Sequence, residues 1–67
     1  MNAAKLKSVM FLHGDNNKIL AAYLGITEQS FSNKLNEKGT EFKQGEIIKI
    51  KDRYKFSPAE VDEIFFD

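Results

Sequence analysis

The chain contains no cysteine. Disulfide staples and thiolate metal sites are excluded, and nothing points to an oxidising compartment. The only histidine, His13, has no second histidine to join it as a ligand or a catalytic base, and it reads as a capping or surface residue. No uninterrupted apolar stretch approaches the ~20 residues that a membrane-spanning helix needs, and the N-terminus lacks the apolar core of a signal peptide. A cytoplasmic protein is expected. Repeats, low-complexity tracts and linker-like segments are missing as well. One proline, Pro58, and four glycines are the only strong punctuation.

What is present is an ordinary folded composition, 42% apolar and 30% charged over 67 residues. That length allows one domain, 1–67, with a small core, because a chain this short buries only roughly 60% of its unfolded surface. Formal net charge is zero, but it is unevenly spread. Residues 58–67 carry Glu60, Asp62, Glu63 and Asp67 and no base, whereas residues 1–57 hold all ten lysines and arginines against six acids. A basic body beside an acidic end permits an anionic partner on one face. A mixed surface without preference fits the same numbers.

Apolar residues recur at helical spacing throughout, and no alternating strand pattern competes. Leu6, Val9 and Met10, with His13 in register, form the inner stripe of a first helix that stops near Gly14. Asn16 caps a second, about 17–24, with Leu20, Ala21 and Leu24 inward. Thr27 offers a side-chain oxygen to the free N–H groups of a third, where Glu28 sits at the positive end and Phe31 and Leu35 face inward. Residues 36–45 read as a loop. A fourth helix runs from about Gln44 to Tyr54, with Ile47, Tyr54 and either Ile50 or Ile48 buried. Ser57-Pro58-Ala59-Glu60 is a capping box with proline at the first helical position, and Phe56 can staple onto Val61. Val61, Ile64 and Phe65 supply the inner face of a short fifth helix. The expected fold is all-α, a bundle of about five short helices.

Gly25 lies between two helices with only Ile26 and Thr27 beside it. Glycine tolerates the positive φ at which a helix can stop abruptly. Isoleucine then plugs the core and threonine starts the next helix, while small Ala21 lets the two axes approach. This is the construction of a helix-turn-helix, here roughly 17–36, whose second helix enters the DNA major groove. On a wheel with Phe31 and Leu35 inward, the outward face centres on Gln29 and Asn33, flanked by Ser30, Ser32 and Asn36. Such side chains both donate and accept, as base edges require. A face meant only for water gains more from Lys–Glu pairs, although polar cover remains the plainer alternative.

The stretch Asn17 to Ser32, through Ala21, Leu24-Gly25-Ile26-Thr27 and Phe31-Ser32, resembles the helix-turn-helix of the Cro and phage-repressor-like (XRE-type) DNA-binding domains. The segment "SFSNKLNEKGTEFKQGEI" and the closing "EIFF" are similar to short phage or prophage regulators of Gram-positive bacteria, so the resemblance spans roughly residues 16–66. It implies a lambda-repressor-like fold, a recognition helix over 28–36, base reading by Glu28, Gln29 and Asn33, and a phosphate contact at Asn17. Two positions depart from the family pattern. Lys34 stands where an apolar residue is common, free to reach a phosphate or to snorkel along the domain edge. Glu28 stands where a neutral amide is common, and there it repels phosphate unless it accepts from a cytosine amino group.

Ser32 joins the base-reading set from the wheel. Lys18, Thr27, Ser30, Lys34, Lys38, Thr40 and Lys43 are the candidates for the DNA backbone, where contacts fix register without specifying sequence. Lys49, Lys51, Arg53 and Lys55 form a helical basic face that solvation alone explains. The consecutive Phe65 and Phe66 cannot both turn inward, so this pair, Phe66 above all, is the candidate contact of a homodimer formed at least on DNA. Glu60 and Glu63 lack a nucleophile or histidine partner and read as a solvated acidic face, and "GDNNK" lacks the spacing of a calcium loop. No enzyme activity, cofactor, metal or small-molecule ligand is expected, and the partner is a double-stranded DNA operator at the nucleoid. The rival expectation is a protein-interaction module, such as an antirepressor or adaptor on a helix-turn-helix scaffold.

Overall fold

The computed structural model describes residues 1–66, which form five helices and no strand. They are α1 (Ala3–Leu12), α2 (Asn17–Leu24), α3 (Glu28–Leu35), α4 (Gln44–Tyr54) and α5 (Pro58–Val61). The last widens into a π-helical turn over Asp62–Phe66. No described helix is long and apolar enough to cross a membrane.

The starts follow local chemistry. Asn16 Oδ1 accepts from the Ile19 N–H at 2.8 Å, and Thr27 Oγ1 accepts from the Ser30 N–H at 3.0 Å. Ser57 and Glu60 bond each other reciprocally at 3.2 and 3.0 Å, and the backbone N–H of Ser57 holds the Glu60 carboxyl below its ordinary range. Asn2 caps α1, a start the sequence did not announce. The α4 cap is one-sided. Glu46 Oε1 accepts from the Lys43 N–H at 2.8 Å, and lysine has no acceptor with which to answer.

Thirteen apolar residues make one core. Leu6 and Met10 come from α1, Leu20, Ala21 and Leu24 from α2, Phe31 and Leu35 from α3, Ile47, Ile50 and Tyr54 from α4, and Ile64 from the π turn. Ile50 is fully buried and Ile48 is exposed, which decides the alternative left open within α4. Phe56 is buried and Val61 packs against the same core, as a staple requires. His13 is a capping and surface residue and takes no part in the inner stripe of α1. It is exposed at the C-cap of α1, because the helix ends one residue before it, and its ring lies 5.0 Å from that of Tyr54. The fifth helix keeps its expected inner face but departs from regular α geometry. Its π turn buries Ile64 completely, and the Ile64 carbonyl accepts the Asn2 N–H at 2.6 Å, tying the two ends of the chain together.

A polar clamp fastens the α1–α2 turn to α4. Asp15 accepts from Arg53 Nε at 2.9 Å, from Arg53 Nη2 at 2.8 Å and from the Tyr54 hydroxyl at 2.6 Å. The guanidinium also lies 4.6 Å from the Tyr23 ring centre. Asp15 therefore does not belong to a loop open to cations, and Arg53 is not a solvated member of a basic face. The Arg53 hydrogen bonds outweigh burial and hold the Asp15 carboxyl down to about 2, while burial and Asp15 push the Tyr54 hydroxyl up.

A carboxyl depressed in the folded state stabilises the fold above its unfolded pKa and loses that contribution as pH falls through the folded one. Stability is thus expected to decline from about pH 4 to about pH 2, by on the order of 2 kcal/mol from Asp15. Urea titrations across that range check this. Asp15→Asn should lose this part of the acid decline, and an unchanged decline would show that other carboxyls carry it.

Candidate nucleic-acid interface

The α2–α3 unit is built around Gly25. Its φ of +76° places it in the left-handed region, and a Cβ there would meet nothing within 4 Å. Conformation, not space, calls for glycine. The Ile26 N–H donates to the Ala21 carbonyl at 3.0 Å, closing the end of α2, and Thr27 opens α3 two residues after the glycine. α2 packs more extensively on α3 than any other two α-helices pack on each other. Buried Phe31 and Leu35 pin α3 from beneath.

With that face fixed inward, the opposite one is polar. Gln29 is exposed and Asn33 half-buried at its rim. The two amides meet, Gln29 Nε2 donating to Asn33 Oδ1 at 3.0 Å. Glu28 is exposed in the first turn, where the helix dipole favours a carboxylate, and no described cation pairs with it. Ser32 is half-buried, and both its carbonyl and its hydroxyl accept from the Asn36 amide, at 3.0 and 3.4 Å.

The candidate backbone contacts fall into two groups. Asn17 and Lys18 lie in the first turn of α2, half-buried and exposed respectively. Thr27 is exposed, with its oxygen committed to the Ser30 N–H and its O–H still able to donate, and Ser30 is half-buried. Lys38 and Thr40 in the loop and Lys43 at the start of α4 are all exposed. Among the described residues neither Lys38 nor Lys43 has a carboxylate partner.

Lys34 needs correction as a phosphate contact. Its side chain is 8% exposed, and Nζ binds both Glu46 oxygens, at 2.8 and 3.1 Å. The register that points Leu35 into the core also lays the neighbouring lysine against the start of α4, where Glu46 waits in the first turn. Burial raises the Glu46 carboxyl, but the ammonium and the Lys43 N–H outweigh it and hold the group below its ordinary value. A cation so neutralised attracts no phosphate.

The aromatic end resolves differently from the polar face. Phe65 is half-buried, 5.9 Å from the Phe42 ring in an edge-on stack, so the fold itself uses it. Phe66 is 68% exposed. Both line a groove of about 570 Å³ with Phe42, Ile47, Ile48 and Val61. Sequence reasoning missed two other exposed apolar side chains, Phe11 and Leu12, at the end of α1. No three described His, Cys, Asp or Glu side chains gather closely enough to hold a metal ion.

Comparison of the chain with known protein families, with curated proteins and with solved structures finds no match.

Proposed function

We propose that this chain is a sequence-specific, double-stranded-DNA-binding transcriptional regulator of the phage-repressor or Cro type, acting in the cytoplasm at the nucleoid. α3 lies in the major groove, with Gln29 and Asn33 on base edges and Glu28 and Ser32 at the margins. Lys38, Thr40 and Lys43 from the following loop, with Asn17 and Lys18 from the start of α2, grip the sugar–phosphate backbone. Occupying an operator excludes polymerase or a competing regulator, and this requires no cofactor. One observation carries the reading. The core holds α3 by Phe31 and Leu35 beside a three-residue glycine turn, and the opposite face offers amides where a merely solvated helix would carry ion pairs. Two copies on DNA would meet through the Phe66 end and place two recognition helices about one DNA turn apart.

Selection of bound sites from random duplexes, followed by a salt titration, tests this. A palindromic consensus is expected, with affinity falling steeply as salt rises because each neutralised phosphate adds about −0.9 to the log–log slope. Lys38→Ala and Lys43→Ala should each weaken all sequences alike and reduce the slope by about 1. Absence of affinity for any duplex at low salt would refute the proposal.

The apolar groove beside Phe66 favours a second reading, a protein-interaction module such as an antirepressor or adaptor. Such a module has no DNA affinity for salt to remove.

A further inference from the structure

The Gln29–Asn33 hydrogen bond joins the two side chains at the centre of the polar face of α3, one helical turn apart. A primary amide has two N–H donors and an oxygen with two lone pairs. The bond consumes one donor of Gln29 and one lone pair of Asn33. Gln29 keeps its whole oxygen and one N–H, and Asn33 keeps one lone pair and both N–H groups. Each therefore retains a donor beside an acceptor, the set that a bidentate contact to adenine uses.

What the bond removes is freedom. An isolated amide can turn over and exchange its donor for its acceptor, which inverts the edge that it recognises. Here the Gln29 nitrogen faces Asn33, so the Asn33 oxygen is held toward Gln29 and its nitrogen away from it. Among the described residues neither side chain has another hydrogen-bond partner. Gln29 is exposed, so packing does not fix its amide. The hydrogen bond keeps the two amides side by side on the face of α3.

We infer that Gln29 and Asn33 read two adjacent base pairs as one coupled unit, each amide setting the orientation of the other. This rests on α3 being a DNA-reading helix. Independent readers would contribute separable preferences, one base pair each. Coupled readers share them, so losing either side chain degrades recognition at both positions.

The test measures, on the best duplex selected by the wild-type chain, the ratio of affinities for the best and second-best base at each position. Wild type, Gln29→Ala, Asn33→Ala and the double variant are compared, with helix content checked by circular dichroism. Each single variant should lower discrimination about tenfold at its own position and several-fold at its neighbour's. The double variant should lose less than the product of the two singles. Gln29→Glu supplies a second probe, because a carboxylate only accepts. Asn33 must then turn its nitrogen toward it, and the preferred base at the Asn33 position should change. Singles that flatten only their own positions, with a multiplicative double and no change from Gln29→Glu, overturn the coupling and leave DNA reading intact. A wild type with no base preference overturns both.

Discussion

Phe31→Ala is expected to unfold most of the protein at 37 °C. Phe31 is fully buried and is the largest side chain that is. Its ring meets Phe42 edge-on at 5.5 Å, and Phe42 meets Phe65 at 5.9 Å, so one aromatic chain links α3, the loop and the C-terminal turn. Truncating a buried phenylalanine costs about 3–5 kcal/mol through lost transfer energy and the cavity left behind. Losing an edge-on pair adds roughly 0.5–1.5 kcal/mol. A chain of 67 residues has about 3–10 kcal/mol in total, at about 0.05–0.15 kcal/mol per residue. Thermal melts and urea titrations followed by circular dichroism measure the loss. Phe31→Leu, which keeps most of the volume, should cost less than about 2 kcal/mol. An alanine variant within 1 kcal/mol of wild type would mean that α3 is not anchored there, and its polar face would then have no fixed direction.

The second large effect is expected at Lys34. Lys34→Ala leaves the Glu46 carboxylate, 13% exposed, with only the Lys43 N–H. Removing one partner of a buried pair costs about 3–5 kcal/mol. Glu46 keeps some water and one backbone donor, so about 2–3 kcal/mol is expected. The pH dependence should reverse along with it. In the wild type the depressed Glu46 carboxyl stabilises the fold above its unfolded pKa, and acid removes that contribution. Without the ammonium, burial dominates and raises the carboxyl, so the folded state binds the proton more tightly than the unfolded one. Stability from this group then falls as pH rises through the new pKa. Urea titrations of the alanine variant at acid and neutral pH should show this opposite slope, and a slope like that of the wild type would contradict it.

Lys34→Met with Glu46→Gln separates this structural role from a phosphate contact. Methionine fills the volume of the lysine stem, and glutamine can still accept from the Lys43 N–H. The pair should recover to within about 1 kcal/mol of wild type, since a well-packed neutral replacement of a buried ion pair is often neutral or better. Its DNA affinity and salt slope should match those of the wild type. A slope reduced by about 1 would return Lys34 to the phosphate contacts.

The helices were legible because their signals are local. Asn16, Thr27 and Ser57 each serve an N–H three residues on, and Gly25 takes the backbone angle that its turn demands. The buried apolar residues of α2 and α3, with Ile47 and Tyr54 of α4, followed from spacing alone, whereas the fold chose Ile50 over Ile48. Gln29, Asn33, Lys38 and Lys43 lie on the surface as the wheel and the loop composition foresaw. Lys34 did not, because a lysine one step from a buried leucine can snorkel outward or lie against a neighbour, and its spacing is the same in both cases. Glu46, twelve residues on, makes the choice. The exposure of Phe11 and Leu12 was not foreseen for a related reason, since α1 buries a narrower stripe than its apolar content allows.

The sequence alone determined the number of helices, the starting points of all but the first, most of their inward faces and the amide-bearing outward face of α3. These depend on caps, backbone angles and a repeat near four residues, all short-range. Only the tertiary structure decided which charges are spent. Asp15 reaches Arg53 across 38 residues, Lys34 reaches Glu46, and Phe65 turns onto Phe42 while Phe66 stays outside. An ion pair needs two side chains to meet in space, and no spacing along the chain records which partner the packing of helices will bring.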